Sequence, residues 1–121
     1  MSSPTQNTGY HAEEIAERYL QQQGLIPVER NVHFKTGELD LVMKEKNTLV
    51  FVEVRYRKSS HFGSAAETVT RSKQQKLIRS ALLYCQQHQI KTPWRIDVIA
   101  ITGHEHQQGQ EIHWIPSAVT A

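Results

Sequence analysis

Between Gly37 and Arg55 the chain reads GELDLVMKEKNTLVFVEVR, two runs of alternating apolar and polar residues on either side of Lys46 and Asn47. A period of two is the signature of a half-buried strand, and two strands joined by two residues form a tight antiparallel hairpin. The turn sets the register. It pairs Asp40 with Glu53 and Glu38 with Arg55, and it collects Leu39, Leu41, Met43, Val50, Val52 and Val54 on one apolar face. The other face carries Glu38, Asp40 and Val42 opposite Phe51, Glu53 and Arg55, so its charges gather at one end while Val42, Leu49 and Phe51 stay apolar beneath a helix. A three-residue turn would send Asp40 and Glu53 to opposite faces and mismatch the buried set. The hairpin therefore belongs to a sheet with two carboxylates at one end of one face.

The remaining pattern supplies helices and strands to surround it. Ala12, Ile15, Ala16, Tyr19 and Leu20 recur at helical spacing between His11 and Gln23, and Gly24 supplies the stop. LIPVERNVHF reads as an edge strand because of Pro27 and its charges, and KTGE turns the chain. A second helix is expected from about Ala65 to His88, with Leu77, Ile78, Ala81, Tyr84 and Cys85 as its apolar stripe. WRIDVIAI is a strand, TGHEHQQGQ a polar loop and EIHWI a short closing strand. Residues 1–9 are polar and expected to be a disordered tail, leaving residues 10–121 as one domain, a length sufficient for a single core. No apolar run approaches the roughly 20 residues of a membrane span, and the start lacks a signal-peptide pattern. A cytoplasmic protein is expected. Cys85 is the only cysteine, which excludes an internal disulfide, and its helical setting reads as a small buried hydrophobe.

Charge is concentrated rather than spread. From Arg55 to Arg79 there are seven basic residues and one acid, Glu67, a net of +6 in a chain whose total is +2, so the remainder carries −4. Such asymmetry suits a polyanionic partner, with Arg57, Lys58, Arg71, Lys73 and Lys76 as the contacts; it also suits a solvated helix face. Two opposed carboxylates repel each other, and a hard divalent cation bound by Asp40, Glu53 and the carbonyl of Val54 would offset that. A solvated strand end with Arg55 paired to Glu38 is the other reading. His104 and His106 lie in a polar loop without further spaced ligands and fall short of a zinc pattern. Tyr56, His61 and Phe62 offer rings either for stacking on an unpaired base or for anchoring a loop.

GELDL and FVEVR, with twelve residues between Asp40 and Glu53, resemble the G-E-I-D-L…F-V-E-V-K core of the YraN-type bacterial family, a branch of the PD-(D/E)XK nuclease-like superfamily. The resemblance runs along most of the chain. GYHAEEIAERYL is similar to the family's G-x-x-G-E-x-x-A-x-x-Y-L, FGSAAETVTRSKQQKL to F-G-x-x-x-x-x-V-x-x-x-K-x-x-x-L, and WRIDVIAI to R-F-D-V-I. What the resemblance implies is an α/β domain of restriction endonuclease-like fold, a central mixed β-sheet flanked by α-helices. It further implies that Asp40 and Glu53 are metal-binding carboxylates, that Glu13 assists through a coordinated water or a second cation, and that Arg55 and Lys73 are the basic residues beside the reacting phosphate.

Two positions depart from the family pattern. Ala12 stands where glycine is usual, which bears on how closely the first helix packs. Arg55 stands where lysine is expected; arginine keeps the charge and can grip a phosphate bidentately, but it stays protonated and cannot act as a general base. The implied activity is nucleic-acid binding, to DNA above all, with magnesium- or manganese-dependent endonucleolytic hydrolysis of structured or branched substrates. The alternative is a non-catalytic nucleic-acid-binding or protein-interaction module on the same fold. A homodimer would suit cleavage of two strands.

Overall fold

The computed structural model describes residues 4–57, 69–103 and 110–120. Helix α1 spans Pro4–Gln22 and so begins inside the segment expected to be disordered; proline is tolerated at a first helical position because its missing N–H has no partner there anyway. Gly24, at φ 102°, ends it in the left-handed region, with Gly24 N donating to Gln21 O. Three strands follow as an antiparallel meander: β1 Ile26–Phe34, β2 Gly37–Glu45 and β3 Thr48–Arg57. Glu45 pairs with Thr48, so Lys46 and Asn47 form the expected two-residue turn.

Helix α2 spans Arg71–Gln87. It begins later than Ala65 because Thr70 caps it: the threonine hydroxyl accepts from Lys73 N at 3.2 Å and satisfies one of the free amides of the first turn. Its stripe is as expected, with Leu77, Ala81 and Tyr84 buried and Ile78 and Cys85 packed beside them. Strand β4, Trp94–Thr102, lies parallel to β3, and β5, Glu111–Val119, returns antiparallel to β4. The last strand is longer than EIHWI. It tolerates Pro116 because it is an edge strand, where one side needs no ladder bonds.

Strand order in the sheet is the order in the chain, β1-β2-β3-β4-β5, and α2 is the crossover between the parallel pair. The helices cover opposite faces. Ala12, Ala16 and Leu20 of α1 pack on Leu41, Met43, Val50, Val52, Ile99 and Ile101, while Leu77, Ala81 and Tyr84 of α2 pack on Val42, Leu49, Phe51 and Ile96. This is an α/β domain of restriction endonuclease-like fold, with a mixed sheet between two helices.

The expected apolar face needs one correction. Leu39 packs in the α2 layer, whereas Leu41, two residues on, packs in the α1 layer. Strict alternation would place them together. The neighbouring strand shows the same slip, because Arg30 reaches Glu17 of α1 at 2.7 Å while Val32 packs in the α2 layer. Asn31, at φ 54°, and Asp40 lie at the level where both strands lose phase. A left-handed residue inside a strand re-aims the side chains beyond it.

Candidate functional site

The ladder between β2 and β3 runs from Glu45↔Thr48 to Leu41↔Val52 and stops one step before Asp40 and Glu53. There the Asp40 side chain takes over: its Oδ2 accepts Val54 N at 2.9 Å. In an antiparallel strand a residue's N–H and C=O point to the same side, so the carbonyl of Val54 opens toward the same gap. The two carboxylates are near neighbours, as the hairpin register requires, but they meet at a split in the sheet rather than as ladder partners.

Glu53 faces the α2 layer and is almost wholly buried, at 3% exposure. Its Oε1 lies 3.7 Å from Lys73 Nζ and 3.8 Å from Arg55 Nε, distances of loose ion pairs rather than hydrogen bonds. Its Oε2 is buried and meets no donor among the described residues. Burial, and then the negative charge of Asp40, push the Glu53 carboxyl up to about 7. Asp40 is also pushed up, first by burial, against the pull of the Val54 amide. Both shifts have the same leading cause, burial, and each carboxyl resists ionisation beside the other.

Glu13 approaches from the α1 side. Burial first, then repulsion from Asp40 and Glu38, raises its carboxyl to about 7. With its amide turned to donate, Asn31 places Nδ2 2.8 Å from both Glu13 oxygens. Glu38, exposed beside the split, has its Oε2 3.0 Å from Nδ1 of His33 on β1. Asp40 from β2, Glu53 and Arg55 from β3 and Lys73 from α2 thus meet at the split, and Glu13 of α1 lies near enough to Asp40 and Glu38 to be repelled by both.

The remaining expectations fall elsewhere. Lys76 and Arg71 are exposed on α2, and Arg57 is half-buried at the end of β3. Lys58, His61, Phe62, His104 and His106 lie outside the described residues. Asn31 had no signal in the sequence, where it reads as one polar residue of an edge strand; its importance comes from its left-handed backbone and from facing Glu13.

Among the described residues no three His, Cys, Asp or Glu side chains converge on one point. Two carboxylates, a backbone carbonyl and water are nevertheless the set that magnesium takes, and a lone buried oxygen such as Glu53 Oε2 is what a cation would satisfy.

The fold is that of a restriction endonuclease-like α/β domain, and an acidic pair lies at a split in its sheet. Residues 12–101 match the model of the Uncharacterised protein family UPF0102, and the chain belongs to that family. It is 48% identical over 119 residues to a UPF0102 protein of Vibrio cholerae, covering 96% of this chain and 94% of that one. A UPF0102 protein of Saccharophagus degradans is 50% identical over 115 residues, 93% and 92% of the two chains. Another, from Photobacterium profundum, is 47% identical over 110 residues, 88% and 85% of the two. Among the described residues no helix is long and apolar enough to cross a membrane.

Proposed function

We propose that this protein binds nucleic acid, DNA in particular, and hydrolyses phosphodiesters of structured or branched substrates with magnesium or manganese held at Asp40 and Glu53. The observation that carries this reading is a pair of neighbouring acids, buried Glu53 and half-buried Asp40, both pushed up by burial beside two cations, Arg55 and Lys73. Such a pair is unfavourable for folding, and perturbed acids gathered in one place mark functional sites. Asp40, Glu53 and the Val54 carbonyl would hold the cation, with Glu13 reaching it through water. Bound there, a divalent cation supplies Lewis acidity, which activates water and neutralises phosphate charge. Lys73 and Arg55 place positive charge beside Glu53, where they stabilise the charge that builds on a phosphate in the transition state. Arg55 remains charged throughout and takes no proton from the attacking water.

The test is a cleavage screen over duplex, single-stranded, flap and four-way-junction DNA with magnesium or manganese. Wild type and Arg55→Lys should cleave at least one substrate, Arg55→Ala should lose on the order of a hundredfold, and Asp40→Asn should abolish cleavage while retaining binding. Undiminished cleavage by both Asp40→Asn and Glu53→Gln would refute the site. The arginine at position 55 favours one other reading, a module that holds nucleic acid without cutting it. In that case neither wild type nor Arg55→Lys cleaves anything, and Arg55→Ala only weakens binding.

A further inference from the structure

Beside the split, the β1–β2 turn stands off from α2 and leaves a groove of about 570 Å³. One wall is Phe34, Lys35, Thr36, Gly37 and Glu38; the other is Lys73, Lys76, Leu77 and Arg79. Gly37 turns the chain at φ 146°, a conformation L side chains rarely adopt, and the hydroxyls of Thr36 and Ser80 meet across the base at 3.2 Å. Four cations line the groove against one acid, Glu38, which already has His33 beside it. Among the described residues Lys35, Lys76 and Arg79 make no ion pair, and all three are exposed. Lys73, Lys76 and Arg79 are spaced three residues apart, so they form a row on one side of α2, and Lys35 faces that row from the turn. The row begins at the acidic pair, because Lys73 lines the groove and also contacts Glu53.

We propose that this groove holds an unpaired nucleic-acid strand that leads out of the carboxylate site, with Lys35, Lys76 and Arg79 contacting its phosphates and Phe34 offering a ring to its bases. The inference rests on the nucleic-acid reading of the same site and adds the substrate class and the path. A row of cations on two walls matches a chain of phosphates better than a single anion, and a positive groove with an aromatic wall is how single strands are held without sequence preference. The path leads toward the β1–β2 turn, and Arg57 is not among the residues of the groove.

The test is fluorescence anisotropy of the full chain with a labelled 20-nucleotide single strand and the matching duplex, in EDTA, over a range of sodium chloride. Wild type should bind the single strand more tightly than the duplex. The triple variant Lys35→Gln, Lys76→Gln, Arg79→Gln should weaken single-strand binding at least tenfold at low salt and flatten the slope of log K against log salt by about 2, as expected for three lost phosphate contacts. The control Lys44→Gln, Lys91→Gln, exposed lysines outside the groove, should change neither. An unchanged slope in the triple variant, an equal loss in the control, or a preference for duplex would overturn the groove. Failure of wild type to bind any nucleic acid would remove both this inference and the functional reading; binding through the groove without cleavage of any substrate would remove only the catalytic reading.

Discussion

Glu53 is the residue at which folding and function conflict most directly. It is buried and acidic, with Asp40 beside it and one oxygen meeting no donor among the described residues. Its carboxyl and that of Glu13 ordinarily titrate near 4.5 and are raised to about 7 here, so between those values the folded chain binds more protons than the unfolded one. Their contribution to stability is therefore fully present below about 4.5 and is lost as pH rises through about 7. We expect the urea midpoint without divalent ions to fall between pH 5 and pH 8 in wild type. Glu53→Gln should raise the unfolding free energy at pH 8 by on the order of 1 kcal/mol, and so raise the midpoint and shrink the fall. Magnesium at pH 8 should raise the wild-type midpoint but not that of Asp40→Asn with Glu53→Gln, since a ligand stabilises only a chain that binds it. Identical pH profiles for wild type and Glu53→Gln would mean that Glu53 ionises as freely as an exposed acid.

The hairpin was legible at the level of single elements because its turn and its alternation agree: Leu41 to Val52 pair as the pattern requires. What the pattern could not reveal is the slip that sends Leu39 and Leu41 to opposite layers, because it depends on two adjacent strands. It arises where Asn31 of β1 adopts a left-handed backbone beside Asp40 of β2. A side-chain code of period two assumes continuous pleating, and nothing in ERNVH marks a break. The slip has a separable backbone requirement. Asn31→Gly keeps access to positive φ and should lower the unfolding free energy in urea by about 1 kcal/mol or less, whereas the β-branched side chain of Asn31→Val disfavours that conformation and should cost roughly 2 kcal/mol or more. Equal losses would show that Asn31 matters for its amide alone. The start of α2 is a milder case, since a threonine cap is readable but competes with the helix-tolerant residues before it.

Across the whole molecule, the charged segment was visible in the sequence, but its use was not, because Lys35 joins Lys76 and Arg79 only when the β1–β2 turn folds back against α2. Asp97 is a second residue whose role depends on tertiary packing. Fully buried on β4, it accepts from Arg95 Nε at 3.0 Å, Trp114 Nε1 at 2.9 Å and Ser117 N at 2.8 Å, and so ties β5 to the sheet. Asp97→Ala leaves a guanidinium and two other donors without their acceptor and should cost roughly 3–5 kcal/mol in urea unfolding. Glu45→Ala, at the more exposed end of the same arginine, should cost about 1 kcal/mol or less. Comparable losses would place the anchor of β5 in its ladder rather than in Asp97. The order of the sheet has a consequence for how such a site can be varied. Because strands lie side by side as they leave the ribosome, Glu13, Asn31, Asp40, Glu53 and Arg55 all belong to one continuous block ending at β3, while Lys73, Lys76 and Arg79 arrive on the crossover that follows. The acidic centre and most of the cationic row are thus separate inserts in one architecture, so a different crossover helix would exchange most of the row's charge while both carboxylates stay on their strands.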